Sequence, residues 1–246
     1  PGAIAVSCNT WFLKSYLSML SNTQKYGTKE KAVTTWWEYM TSMGLGGPLG
    51  IDMAGEKGGL VANVNYLSRR YKNQWEPKTI MWAGMGQGDI TVTPLQLCNL
   101  AATIANRGFF FTPHIHKNTD WAPLPSRFLT PRQTKVSPYI YTRVIEGMRL
   151  AVTKGTATVL KGTTYPVCGK TGTAENAGKD HSVFIGFAPM DEPKIAISVY
   201  IEHGGFGADV AAPIAGLVME KYLKGKLSSR SQAMAKRIER INTMDK

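Results

Sequence analysis

Residues 169–174 read Gly-Lys-Thr-Gly-Thr-Ala, and this segment gives the strongest indication of the fold. The apolar lead-in at 166–168 and the apolar run at 183–187 predict a strand at the edge of a sheet, followed by a second strand. Gly169 and Gly172 would let another chain approach the backbone closely, as binding a peptide or an acyl group along a strand requires. The segment therefore predicts a binding strand.

The tripeptide Gly169-Lys170-Thr171 also matches the end of a phosphate-binding loop, which makes a nucleotide site an alternative. That loop requires a glycine five residues before Gly169, where this chain has Thr164, and a helix directly after the lysine. The residues that follow are instead rich in glycine and lead into a second strand-like run. Phosphate binding is therefore disfavoured, although a short tripeptide on its own also fits an ordinary strand end.

A second motif, Ser7-Cys8-Asn9, precedes a stretch with apolar residues at helical spacing. Ser7 or Asn9 is a candidate N-cap of that helix, since either side chain can accept an orphan backbone N–H. Ser-x-Asn and Lys-Thr-Gly are also typical of active-site serine enzymes that act on penicillins, which combine both motifs with Ser-x-x-Lys. Two of these three motifs are present, in that order.

The longest motif begins at Gly86-Gln87-Gly88-Asp89 and continues into Thr93-Pro94-Leu95-Gln96. Thr93 is a favourable N-cap, with proline at the first helical position, so a helix is expected here. The full string resembles the signature of the class B penicillin-binding proteins, the monofunctional D,D-transpeptidases of peptidoglycan synthesis. Further matches extend this resemblance over nearly the whole chain, at 169–175, 184–189 and 211–215.

Within that class, the motif contexts resemble the elongation type, often called penicillin-binding protein 2, while the septal type stays open. The resemblance implies an α+β penicillin-binding/β-lactamase-like transpeptidase fold, with an antiparallel sheet flanked by helices and a mostly helical second lobe. Because the motifs are shared, a D,D-carboxypeptidase, a β-lactamase-like hydrolase and a non-catalytic penicillin-fold scaffold or sensor domain are the alternatives.

Apolar spacing and turn residues place the individual elements. Helices are expected at about 8–20, 29–43, 93–107, 138–154 and 210–224, and strands at about 166–174, 182–188 and 194–202. The expected organisation is a transpeptidase region over 1–224, with a helical lobe at about 8–155 and the sheet and final helix at about 166–224. A basic C-terminal tail is expected at 225–246, and 44–92 is expected to be irregular loop around the site.

The nucleophile motif Ser-x-x-Lys occurs nowhere in these residues, because no serine is followed three positions later by lysine. Thr28 has this spacing to Lys31 but follows Ser7, whereas the family places its nucleophile before Ser-x-Asn. We therefore expect a fragment of a transpeptidase domain, inactive alone, whose nucleophile and N-terminal membrane anchor lie outside it.

The resemblance implies a role for each matching residue. Ser7 would relay a proton between the lysine partner of the nucleophile and the leaving or attacking amine, and Asn9 would hydrogen-bond the peptide amide. Lys170 would supply positive charge beside that relay. The hydroxyls of Thr171 and Thr173 would hold the terminal carboxylate, and the Thr173 N–H would form half of an oxyanion hole. Substrate contacts are expected along residues 171–174, which are Thr171, Gly172, Thr173 and Ala174.

The net charge of +12 is consistent with an anionic partner. The dense basic stretch 221–246 has one aromatic residue for stacking, so nucleic acid is disfavoured, and anionic membrane headgroups or wall polymer suit it better. The resemblance implies D-Ala-D-Ala stem peptides, β-lactams and a membrane glycosyltransferase of the elongation machinery as partners. It also implies a bacterial inner membrane protein that faces the periplasm.

The cysteines and histidines give no indication of a cofactor or metal. The three cysteines, Cys8, Cys98 and Cys168, have no metal-ligand spacing, and we expect buried free thiols. His114 and His116 resemble a metal pair, but no third ligand lies near them in sequence, and an exposed strand end is expected. His181 is expected to form hydrogen bonds at the sheet edge.

Overall fold

The computed structural model describes residues 1–241 and divides into two compact units. The unit that we call the sheet unit comprises Pro1–Ser7, Leu100–Arg107 and the chain from Pro138 onward. The other, the helical unit, comprises Cys8–Asn99 and Gly108–Ser137. The predicted helical lobe extended to about 155, whereas the structure groups the helix at 138–154 with the sheet.

The helical unit begins with helices whose starts and ends agree with the sequence expectations. Its helices are α2 (Asn9–Leu20), α3 (Thr23–Tyr26), α4 (Lys29–Ser42), α5 (Val64–Arg70), the first half of α6 (Pro94–Ala105) and α7 (Ser126–Leu129). Its short antiparallel pairs are β1 (Leu60–Val61) with β2 (Ile90–Thr91), and β3 (Phe109–Phe110) with β4 (Arg132–Gln133). The hydrophobic core of the unit includes Tyr16, Leu20, Val33 and Leu67.

The segment 44–92 is more structured than predicted. It contains β1, α5, a 3-10 helix at Met81–Met85 and β2. Two buried polar side chains stabilise this segment through hydrogen bonds and an ion pair. Neither side chain contributes to the hydrophobic pattern from which helices and strands are predicted, so the sequence did not indicate this order.

Gln96, which is 1% exposed, is the first of these side chains. Its Nε2 atom donates to the carbonyl oxygens of Gly44, Gly47 and Gly58 at 3.3, 2.9 and 2.8 Å. Its Oε1 atom accepts the N–H of Thr93, whose hydroxyl in turn accepts the N–H of Gln96. The Thr-Pro-Leu-Gln string is therefore a capping box whose glutamine also fixes a glycine-rich loop.

Asp89 is the second of these side chains. Its carboxylate accepts the hydroxyl of Tyr71 at 2.6 Å and pairs with Arg70 Nε at 2.7 Å. These contacts attach the end of the Gly-Gln-Gly-Asp string to α5 and the residue that follows it. Both long motifs of the sequence thus have a structural role within the helical unit.

The sheet unit contains three antiparallel strands in the order β5 (Cys168–Ala174), β6 (His181–Ala188) and β7 (Ile195–Ile201). The register pairs Thr171 with Phe184, and Phe184 with Val199. The predicted antiparallel neighbours and the α+β class are confirmed. Because β5 pairs only with β6 among residues 1–241, its outer edge borders no strand there.

Helices α8 (Pro138–Lys154) and α9 (Ala211–Lys224) pack against the sheet, and Phe184 lies in the core that they share with it. The unit also contains α1 (Gly2–Ala5), which packs on α8, α10 (Ser229–Ile238), which packs on α9, a 3-10 helix at Thr158–Leu160 and the second half of α6. The fully buried residues between α8, α9 and the sheet include Val152, Phe184, Ala212 and Met219. Burial of this apolar surface is the main contribution to the stability of the unit.

The segment predicted as a basic tail contains a helix. Ser228 caps α10 by accepting the N–H of Ser231, and Arg230 donates to the carbonyl oxygens of Lys161 and Val159. Arg237 donates to the carbonyl oxygen of Asp209. These contacts order residues 229–238, and the last five residues of the predicted tail, 242–246, lie outside the described residues. Every helix that the structure describes is too short or too polar to span a lipid bilayer.

Candidate active site

The side chains of Lys170 on β5 and Ser7 meet in the sheet unit. Lys170 Nζ donates to Ser7 Oγ at 2.8 Å, across 163 positions of the chain. The same ammonium group donates to the carbonyl oxygen of Thr171. The structure therefore joins the Ser-x-Asn and Lys-Thr-Gly motifs through one direct hydrogen bond.

Two glycines of the sheet unit let the segment before Ser7 reach this position. A Cβ atom on Gly147 would lie 2.8 Å from Ile4 Cβ, and one on Gly155 would lie 2.0 Å from the carbonyl oxygen of Ala5. Helix α1 packs against α8 at these points. Ser7 follows α1 with a φ of 54°, in the left-handed region that non-glycine residues rarely adopt.

Neither Ser7 nor Asn9 is the N-cap that the sequence suggested. The residue before α2 is Cys8, whose side chain makes no capping hydrogen bond, and Asn9 is the first residue of that helix. The Ser7 hydroxyl is instead committed to Lys170. Asn9 belongs to the helical unit, and its predicted contact with the peptide amide stays a prediction.

Burial changes the acid–base chemistry of Lys170. Desolvation lowers the pKa of its ammonium group from 10.5 to about 8, because a charged amine is disfavoured away from water. A lysine with a pKa near neutral pH can exchange a proton with a hydroxyl more readily than an exposed one. The Ser7–Lys170 pair therefore has the composition and geometry of a proton relay.

Thr171 is more enclosed than the sequence suggested. It is 8% exposed, and its hydroxyl is hydrogen-bonded to the hydroxyl of Thr156, with the two oxygen atoms 2.6 Å apart. Successive residues of a strand point to opposite faces, so the side chains of Thr171 and Thr173 leave β5 opposite to that of Lys170. Thr156 was not recognised from the sequence, since it looked only like the residue after a helix-ending glycine.

The rest of the predicted binding segment is half-buried along β5. Thr173 pairs with Ser182 across the sheet, and Gly172 pairs with Val183. A Cβ atom on Gly207 would lie 2.5 Å from the carbonyl oxygen of Gly172, so that glycine lets a loop lie against the strand. Ser182 supports this loop, because its hydroxyl donates to the carbonyl oxygen of Phe206 at 3.0 Å.

The histidines and cysteines form no metal centre among residues 1–241. His181 Nδ1 accepts the N–H of His203 at 3.0 Å at the end of the sheet. His116 lies in a loop rather than at the predicted strand end, and its backbone N–H donates to the carboxylate of Asp52. Cys168 is buried as expected, whereas Cys8 and Cys98 are only partly buried, and none of the three forms a disulfide within residues 1–241.

The sequence model of the family described as "Penicillin binding protein transpeptidase domain" matches residues 2–220. Among curated proteins, the peptidoglycan D,D-transpeptidase MrdA of Acinetobacter baumannii is 31% identical over 235 residues, which cover 86% of this chain and 33% of the relative. The chain thus spans about a third of the length of this relative.

Two solved structures show the same fold. Pseudomonas aeruginosa PBP2 in complex with WCK 5153 superposes with a TM-score of 0.78 and 32% identity, over 93% of this chain and 48% of that one. Helicobacter pylori PBP2 in complex with MreC superposes with a TM-score of 0.73 and 25% identity, over 92% of this chain and 40% of that one. The likeness therefore covers both units.

Proposed function

The chain belongs to the penicillin-binding protein transpeptidase domain family, and from that membership we propose that it forms the carboxylate-binding and oxyanion side of a peptidoglycan D,D-transpeptidase site. The observation that carries the proposal is the 2.8 Å hydrogen bond between Lys170 Nζ and Ser7 Oγ. It brings together the two family motifs that the chain contains and places a lysine of lowered pKa on the serine hydroxyl.

The proposed reaction cross-links the stem peptides of peptidoglycan. A serine attacks the carbonyl of the penultimate D-alanine, the terminal D-alanine leaves, and an amine of a neighbouring stem takes the acyl group. The 246 residues contain no Ser-x-x-Lys, so the reaction requires a serine that lies outside them. β-Lactams are the proposed inhibitors, since their ring carbonyl would acylate the same serine.

Each residue of the site has a defined task in this proposal. Ser7 passes a proton to the leaving amine and takes one from the attacking amine, and Lys170 stabilises the hydroxyl during both transfers. The N–H of Thr173 supplies half of the oxyanion hole, where an already oriented backbone amide is effective. The hydroxyls of Thr171 and Thr173 hold the terminal carboxylate, and Asn9 binds the peptide amide.

We propose that the complete protein is of the elongation type. Its resemblance to MrdA and to the PBP2 structures supports this assignment, and the latter include a complex with MreC. The proposed location is the periplasmic face of the inner membrane, with an anchor outside these residues and a membrane glycosyltransferase as partner. Nucleic acid is not a proposed ligand.

Covalent labelling of the complete protein with a fluorescent penicillin tests the proposal. We expect labelling of a serine outside the 246 residues, slowed about 100-fold or more by Lys170→Ala, since a positioned acid–base group contributes about that factor. The control is Lys194→Ala, because Lys194 is an exposed lysine beside the same sheet. Unchanged labelling of Lys170→Ala would contradict the role of Lys170.

The fate of the labelled protein separates the related functions. A transpeptidase should hold the penicilloyl group for many minutes and transfer a peptide acyl group to an added D-amino acid. Rapid release of the penicilloyl group would instead identify a β-lactamase-like hydrolase. Complete absence of labelling would identify a non-catalytic scaffold.

A further inference from the structure

Thr156 is held rigidly beside the edge strand by contacts on both sides. Its N–H donates to the carbonyl oxygen of Ala5 at 3.1 Å, at the end of α1. The preceding Gly155 lies so close to Ala5 that a Cβ atom there would overlap the carbonyl oxygen. The residue after it, Ala157, is fully buried and donates its N–H to Ala151 at 2.9 Å. The backbone of Thr156 therefore has little freedom to move.

The hydroxyls of Thr156 and Thr171 form a close pair inside the sheet unit. Their oxygen atoms lie 2.6 Å apart, at the short end of the range for O–H···O bonds. A hydroxyl carries one proton and can also accept, so the pair can be joined by the proton of either residue. The direction of this bond decides whether the hydroxyl proton of Thr171 is available to a ligand.

A carboxylate can only accept hydrogen bonds, so it binds Thr171 only when that residue has its proton free. When Thr171 donates to Thr156, its proton is already used. When Thr156 donates instead, Thr171 Oγ1 accepts from Thr156 and can point its own proton at a ligand. Thr171 is 8% exposed, so few water molecules can take the place of Thr156.

We propose that Thr156 is a positioning residue for carboxylate recognition, whose hydroxyl fixes the rotamer of Thr171 and, by donating to it, frees the Thr171 proton for the terminal carboxylate of the ligand. This inference rests on the proposed function and adds a residue to it. Thr156 does not touch the ligand and acts only through Thr171. Its effect is therefore confined to ligands that carry a free carboxylate.

The test compares a penicillin with its methyl ester, which lacks the carboxylate charge. The second-order acylation rate constants of the complete protein are measured for both compounds with the wild type, Thr156→Val and Thr156→Ser. Thr156→Val keeps the shape of the side chain without its hydroxyl, and Thr156→Ser keeps the hydroxyl. Thr153→Val is the matched control, since the hydroxyl of Thr153 donates to carbonyl oxygens of its own helix, those of Arg149 and Leu150.

We expect Thr156→Val to slow acylation by the free acid about tenfold and by the ester less than twofold, because one charge-assisted hydrogen bond to the carboxylate is weakened. Thr156→Ser should restore the rate for the acid to within about threefold of the wild type, and Thr153→Val should leave both rates unchanged. An equal loss for acid and ester in Thr156→Val would show a merely structural role, and no loss for either would also overturn the inference.

A second measurement keeps the test valid if Thr156→Val folds poorly in the complete protein. In the 246-residue chain, methyl NMR couplings report the χ1 rotamer of Thr171. We expect one rotamer in the wild type and in Thr156→Ser, and averaging in Thr156→Val. A single unchanged rotamer in all three proteins would contradict the inference. Failure of the wild type to react with either compound would instead overturn the proposed function on which the inference rests.

Discussion

Lys170 shows how burial of one side chain sets the chemistry of the site. The ammonium group lies against Ser7 Oγ, and desolvation lowers its pKa to about 8. The motif identifies the lysine in the sequence, but a linear pattern carries no information on how much water reaches its amine. The lowered pKa could therefore be inferred only from the packing of the sheet unit, which excludes water from the amine.

This pKa predicts a pH dependence of stability. Between about pH 8 and 10.5 the unfolded chain holds the Lys170 proton that the folded protein has released, so the free energy of unfolding rises with pH in this window. Below about pH 8 both states hold the proton, and the cost of burying the charge is fully present. Lys170→Met removes this contribution.

Chemical denaturation from pH 7 to 10.5 checks this expectation. The free energy of unfolding of the wild type, measured relative to Lys170→Met, should rise as the pH increases through the window. Lys194→Met, which replaces an exposed lysine, is the control. The free energy of unfolding of the wild type relative to Lys194→Met should change less over the same pH range. A flat difference between the wild type and Lys170→Met would show that the amine is not desolvated in the folded protein.

Gln96 gives a second prediction for a single side chain. Gln96→Leu leaves three carbonyl groups of the glycine-rich loop without their donor, and we expect a loss of about 3 kcal/mol in the free energy of unfolding. Urea denaturation measures the loss, with Gln24→Leu on exposed α3 as the control. A change of less than about 1 kcal/mol would mean that the loop carbonyls find other donors.

Among the elements, α1 and α8 form the contact that directly precedes Ser7 along the chain. The sequence predicts α8 from its apolar spacing and from Ser137-Pro138, but α1 has only four residues and no periodic pattern. Its position follows from Gly147 and Gly155, where the absence of a Cβ atom lets two backbones approach. Such close approaches depend on tertiary contacts between distant segments.

Gly155→Ala tests this contact. The added methyl group would overlap the carbonyl oxygen of Ala5, so α1 must move and the Ser7–Lys170 hydrogen bond should lengthen or break. Less burial would raise the pKa of Lys170 towards 10.5, which NMR of the labelled lysine amine can measure. Gly2→Ala is the control, because among residues 1–241 a Cβ atom there meets nothing within 4 Å apart from its chain neighbours and the backbone of its own helix. An unchanged Lys170 pKa in Gly155→Ala would show that the site does not depend on this contact.

Over the whole molecule, the charge is concentrated at one end of the chain. Residues 221–246 carry eight basic and two acidic residues, which is half of the net charge of +12. Several of the basic residues are exposed on α9, on α10 and in the turn between them. The sequence predicted this excess of basic residues. It did not predict helix α10, which carries several of them and is held by contacts with α9 and with the segment 159–161.

We expect the chain to bind vesicles of anionic phospholipid more tightly than neutral ones. Each basic residue near such a surface contributes about 1 kcal/mol, so replacing Lys226, Lys236 and Arg240 by glutamine should weaken binding more than tenfold. Raising the salt concentration should weaken binding of the wild type by screening. Co-sedimentation measures both effects, with Lys14→Gln, Lys57→Gln and Lys78→Gln together as the control. Equal binding of the two triple variants would show that the location of the charges is unimportant.

The linear pattern of residues was enough to place the long helices, the three-stranded antiparallel sheet and the Lys-Thr-Gly strand. Those features depend on apolar spacing, on capping residues and on a short motif. Each of these signals lies within a short stretch of the sequence. The Ser7–Lys170 bond, the Thr156–Thr171 pair and the loop held by Gln96 required the folded chain. Each joins groups that are 15 to 163 positions apart, and their burial and distance arise only when the segments between them have packed.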